Sequence, residues 1–141
     1  MSQLLTNEAL HQKSPEEITA LLYEACLDKM EATVCAIEEK DYIRANESIQ
    51  RAIDILHRLG AGLNYEAGII ADQLDQLYNY LVDLLVEANY QKDVVKVNEG
   101  IKLLTLVMSA WTKAMKTRQD RQSKSVKQKA TMYENAVMHE S

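Results

Sequence analysis

Residues 14–39 open Ser14-Pro15-Glu16-Glu17-Ile18-Thr19-Ala20-Leu21-Leu22-Tyr23 and run on through Met30 and Ile37 to Glu39. Ser14 can cap a helix, Pro15 suits its first position, and Glu17 completes a capping box with Ser14. Two glutamates in the first turn complement the positive end of the helix dipole. Tyr23, Leu27, Met30, Val34 and Ile37 then recur at spacings of four and three, with Ile18, Leu21, Leu22 and Ala25 widening the apolar face. This is the signature of an amphipathic helix, predicted over about 15–39.

The same grammar repeats. Asp41 is a cap candidate for a second helix over about 41–60, whose stripe is Ala45, Ile49, Ala52, Leu56 and Leu59. Gly60-Ala61-Gly62 is expected to stop it through a left-handed glycine, and Asn64 to Gly68 to form a short loop. A third helix over about 69–90 carries Ile70, Leu74, Leu77, Leu81, Leu84 and Ala88, with Asn89 to Lys92 read as the turn. Asp93 caps a fourth over about 93–116, with Val94, Val97, Ile101, Leu104, Met108, Trp111 and Met115 on its stripe.

Four apolar faces of this width joined by short loops predict an all-α fold: an antiparallel up-down four-helix bundle. The bundle is expected over 14–116. Residues 1–13 are expected to form a short leading helix or arm, with Leu4 to Leu10 packing on the bundle, and 117–141 a basic C-terminal extension, helical or disordered. One Pro and four Gly in 141 residues fit long helices. At 47% hydrophobic and 26% charged, the chain is globular rather than disordered.

The net charge is −5 and the pI about 5.2, which argues against nucleic acid as a partner. No apolar run approaches ~18 residues, so no membrane insertion is expected. The first residues lack the basic and long apolar regions of a secretory signal. The expected location is the cytoplasm. Cys26 and Cys35 sit nine residues apart on one helix, roughly 13 Å along its axis and on opposite faces, so they cannot pair. Both read as small buried hydrophobes.

Lys113 to Lys129 holds seven basic residues against Asp120 alone, a local +6 that leaves −11 on the rest of the chain. It reads as a solvated extension of the last helix.

Catalytic patterns are sparse. Asp54-x-x-His57 is a single acidic-x-x-His motif, where bundle di-metal sites need two and further inward carboxylates. Both residues fall off the second stripe. There is no phosphate-binding glycine loop and no nucleophile elbow, and the cysteines lack a His partner suited to catalysis. No enzyme activity, metal or cofactor is expected.

Ser14-Pro15-Glu16-Glu17-Ile18 followed by Leu21-Leu22-Tyr23-Glu24-Ala25 resembles the opening of the FliS family of flagellin export chaperones. Ala36-Ile37-Glu38-Glu39-Lys40-Asp41-Tyr42 with Ala45-Asn46 resembles that family's first turn, and Leu63 to Gly68 its central loop. Leu77 to Leu81 and Leu85 to Asn89 resemble its third long helix, and Ala110-Trp111 the end of its fourth. The resemblance runs from about Ser14 to Lys116. It implies a helical bundle in the bacterial cytosol that covers the unfolded, amphipathic C-terminal segment of flagellin. Such a chaperone prevents premature polymerisation and aids delivery to flagellar export apparatus components, without ATP. The alternative is an adaptor or regulatory bundle of the same fold with another client. Oligomeric state is not legible.

Recognition by such a bundle is helix-in-groove binding. The apolar residues surplus to the stripes are candidates for the groove: Tyr42, Ile43, Ile55, Ile69, Tyr78, Tyr80, Val82, Leu85 and Tyr90, with Asn89 beside them. Tyr78, Tyr80 and Leu85 stand out, because tyrosine suits a surface that is wet when empty and buried when occupied. The leading segment lacks the tyrosine common in the family, and Leu4, Leu5 and Leu10 are the candidates to replace it.

Overall fold

The computed structural model describes residues 13–63 and 70–140. Beyond Arg121, side chains are described only at Lys124, Gln128 and Met132. The expected leading arm and the Asn64 to Gly68 loop, with Ile69, lie outside the described residues. Four long helices carry the fold: α1 Pro15–Glu38, α2 Tyr42–Ala61, α3 Ala71–Gln91 and α4 Val94–Glu140. No strand occurs among the described residues, and the class is all-α, a four-helix bundle.

The predicted caps form. Ser14 Oγ accepts from the Glu17 amide at 3.2 Å and Asp41 Oδ1 from the Arg44 amide at 3.2 Å. Asp93 Oδ1 accepts from the Val95 and Lys96 amides at 2.9 and 3.4 Å. Each carboxylate or hydroxyl satisfies amides that the first helical turn leaves open.

The links differ from expectation. Gly62 ends α2 with φ −85°, so no left-handed glycine is used there. Among the described non-glycine residues, the left-handed ones are Lys40 (φ 59°) and Lys92 (φ 52°). Each sits in a Schellman motif: the Asp41 amide reaches Ala36 O at 2.8 Å, and the Asp93 amide reaches Ala88 O at 3.0 Å. The aspartate that closes one helix therefore also caps the next. The third link shrinks to Lys92-Asp93, because Asn89 to Gln91 remain helical. Lys92 Nζ donates to Asn89 O at 2.7 Å and to Asn89 Oδ1 at 2.6 Å.

Through Met108 the chain is one compact unit. Its neighbouring helices run antiparallel. Asn89 near the end of α3 donates to Asn46 near the start of α2 at 2.8 Å, and Lys96 at the start of α4 meets Glu87 of α3 at 2.5 Å. On α1, Cys26 donates to Ala52 O of α2 at 3.6 Å. Tyr23 of α1 and Tyr78 of α3 meet across the centre with hydroxyls 2.5 Å apart. Gly100 lets α4 approach α1 and α3 closely: a Cβ there would stand 2.8 Å from Met30 Cε and 3.5 Å from Leu85 Cδ2.

On α2 the predicted stripe is buried, with Ile53 and Ile55 added. On α3 the interior follows Leu74, Tyr78, Leu81, Leu85 and Ala88, with Leu84, while Leu77 is only half-buried. On α4 it follows Val97, Gly100, Leu104 and Val107; Ile101 and Met108 are half-buried. Both shifts are a rotation within a broad apolar sector that two spacings of four and three share. Cys26 is buried, but Cys35 is exposed, which corrects the expectation for the second cysteine.

The second unit, from Ser109, is the remainder of α4. Its helix runs through the basic segment to Glu140, with Lys113, Lys116, Arg118, Arg121 and Lys124 exposed.

Candidate docking surface

Burial divides the nine described residues of the sequence-predicted groove. Tyr78 is 2% exposed and Leu85 fully buried, and Ile55 is buried with them. These three are interior side chains, which corrects their assignment to an open groove: Tyr78 and Leu85 each lie at core spacing from Leu81. Val82 and Asn89 are half-buried. The other four face solvent: Tyr42, Ile43, Tyr80 and Tyr90, the last 90% exposed.

Three further large apolar side chains of the first unit are exposed and were not anticipated: Val86, Val95 and Leu106. Each is apolar at an outward helical position beside residues of the stripes, which masks it in the sequence.

Five of these exposed residues sit at adjoining helix ends. Tyr42 and Ile43 begin α2, Val86 and Tyr90 lie in the last turns of α3, and Val95 begins α4. The Asn89–Asn46 hydrogen bond and the Lys96–Glu87 ion pair hold these three helix termini at one end of the first unit. Tyr80 and Leu106 are exposed farther along α3 and α4. Single exposed apolar side chains are ordinary, but several large ones on adjoining helix ends make a candidate interaction surface. Its tyrosines keep a hydroxyl for water when nothing is bound. Asn89, at the centre of the cluster, already spends its amide on Asn46 and its oxygens on Lys92, so it acts as a fixed strut.

The surface offers little chemistry. Asp54 and His57 both point to solvent. Burial pushes the Cys26 thiol up to about 12, so the buried sulfur is held as the neutral thiol. Among the described residues no group of three or more potential metal ligands comes together. No described helix is long and apolar enough to cross a membrane.

The family model described as "Flagellar protein FliS" matches residues 2–118. The flagellar secretion chaperone FliS of Bacillus subtilis is 31% identical over 114 residues, covering 80% of this chain and 85% of that protein. The Salmonella typhimurium protein of the same name is 29% identical over 112 residues, covering 78% and 83%. Flagellar secretion chaperone FliSB of Pseudomonas aeruginosa is 32% identical over 99 residues, covering 70% and 79%. With a single family model spanning the bundle from the first capping box to past Trp111, the chain belongs to the FliS family.

Proposed function

We propose that this protein is a flagellar secretion chaperone that binds the unfolded, amphipathic C-terminal segment of flagellin. On this reading it prevents premature polymerisation in the cytoplasm and aids transfer of the subunit to the flagellar export apparatus. The observation that carries the reading is the set of exposed apolar side chains Ile43, Val86, Tyr90 and Val95 at adjoining helix ends, with Tyr80 and Leu106 exposed farther along, on a bundle of this family. An amphipathic segment that folds onto such a surface buries its apolar face and exchanges solvated side chains for packed ones. Its ordering entropy opposes binding, and the buried apolar area offsets it. Neither step calls for a nucleotide or a metal.

The test is calorimetric titration with a peptide of the C-terminal ~50 residues of the same organism's flagellin, long enough to bury an area in the ~1,000–3,000 Å² range. Saturable one-to-one binding with a negative heat-capacity change is expected. Tyr90→Asp and Ile43→Asp should each weaken it roughly tenfold or more, about 1.4 kcal/mol, with the far-UV helical signal intact. Binding unchanged in both variants would move the docking surface elsewhere. No binding by the wild-type chain would favour an adaptor with a different client.

A further inference from the structure

Two charged faces remain after the docking surface is assigned. The outer face of α1 carries Glu17, Glu24, Asp28, Glu31 and Glu38, all exposed. At 100° per residue they fall within an arc of about 80°, opposite the fully buried Cys26. No basic residue of α1 enters that arc; its one lysine, Lys29, lies toward the side and is half-buried. The other face belongs to the C-terminal part of α4, where Lys113, Lys116, Arg121 and Lys124 are exposed. Three of these, Lys113, Lys116 and Lys124, share an arc of about 80°, and Arg121 flanks it. Asp120 is the only acid among the seven basic residues of 113–129.

We propose that the basic segment of α4 docks on the acidic face of α1 in a second copy of this chain, giving a salt-sensitive dimer. The argument is charge complementarity. The segment is +6 and the rest of the chain −11, so the strongest cationic feature of one copy meets the longest all-acidic stripe of the other. The two stripes also agree in reach: Lys113 to Lys124 spans roughly 16 Å of helix and Glu17 to Glu38 roughly 32 Å, so the acidic face accommodates the whole basic segment. Helix α3 lacks basic residues too, but its outer face carries Tyr80, Val86 and Tyr90, and Glu87 is already paired with Lys96. Exchange is reciprocal, each copy giving a basic segment and receiving one, which closes the pair. Exposed ion pairs are individually weak and act here as a network, which ionic strength screens.

Sedimentation velocity of the full chain decides the matter. At low salt the wild type should approach twice its monomer mass of 16.0 kDa. Roughly tenfold higher salt should raise the dimer dissociation constant about tenfold or more. Lys116→Glu/Arg121→Glu/Lys124→Glu and, separately, Glu24→Lys/Asp28→Lys/Glu31→Lys should each be monomeric with unchanged helical signal, since Glu and Lys have similar helix propensity. Mixing the two variants should restore a dimer, because each reversed face then meets its complement. A chain monomeric at low salt, a dimer indifferent to salt, or a mixture that stays monomeric would each overturn the proposal.

Discussion

Replacing Leu85 with alanine strips a fully buried side chain whose Cδ2 lies 3.5 Å from where a Cβ on Gly100 would stand. Leu→Ala changes in cores cost about 2–5 kcal/mol, the spread reflecting how far the site can collapse. Here the opposite wall is glycine, which has no side chain to swing inward. Met30 ends at the same point, 2.8 Å from that Cβ position, and its flexible thioether can fill part of the void. The expected loss is therefore in the lower part of the range, about 2–4 kcal/mol. For a chain of this size that corresponds to a fall in Tm of roughly 8–16 °C. The assay is thermal and urea unfolding followed by circular dichroism, with a second background as control. In the wild type, Gly100→Ala gains helix propensity of about 1 kcal/mol but must displace the Met30 methyl. In the Leu85→Ala background the space is vacant, so the same change should be more stabilising there, a positive coupling of about 0.5–1 kcal/mol. A Leu85→Ala fall in Tm below about 3 °C, or the absence of coupling, would refute the packing of α3 against α4. It would also return Leu85 to the candidates for the open surface.

Other consequences are open to measurement. A double-mutant cycle of Tyr23→Phe and Tyr78→Phe should give a coupling of about 0.5–1.5 kcal/mol in urea unfolding; additive effects would separate the two hydroxyls. Asp93→Ala should lower stability by about 1 kcal/mol, because it releases the Val95 and Lys96 amides at the start of α4. Lys40→Gly should raise stability by about 0.5–1 kcal/mol by relieving a left-handed non-glycine residue. Thiol titration of the native chain at pH 8 should find Cys35 reactive and Cys26 protected until unfolding. Burial raises the Cys26 thiol from 9.0 to about 12. Its contribution is therefore fully present below pH 9 and is lost as pH rises toward 12, and Cys26→Ala should flatten that loss.

Much of the architecture was legible because it is written locally. Ser14, Asp41 and Asp93 announce their helices within one turn, and the Ala45 to Leu59 stripe has no competing phase. On α3, two phases four and three apart share Leu74, Leu81 and Ala88, so only packing decides that Tyr78 and Leu85 go inside while Leu77 stays half-buried. Tyr78 and Tyr80 are the same residue type two positions apart, and one is 2% exposed, the other 56%. Nothing in their chemistry separates them; the angle of 200° between them does. The left-handed lysines were illegible for a related reason. Glycine is the usual occupant of that position, and what holds Lys40 and Lys92 there is a pair of hydrogen bonds closed across the helix end. Of the residues surplus to the stripes, Tyr42, Ile43, Tyr80 and Tyr90 are exposed, while Tyr78 is not. Val95 and Leu106 lie beside stripe residues, Val94 and Val97 in one case and Leu104 and Met108 in the other.

The two Lys-Asp links bear on how the chain folds. Each joins its helices through a reversal so short that the aspartate ending one helix starts the next. Helices α1 and α2 therefore form one low-contact-order hairpin, and α3 with the first turns of α4 forms another. Closing such short loops takes place on the ~10–100 ns scale, well ahead of any encounter between the hairpins. The slow step is then expected to be the meeting of the two hairpins, because Tyr23–Tyr78 and Met30–Gly100 are contacts between them. Substitutions at these positions should slow folding or speed unfolding according to how early the hairpins dock, whereas cap substitutions at Asp41 and Asp93 report on the hairpins alone.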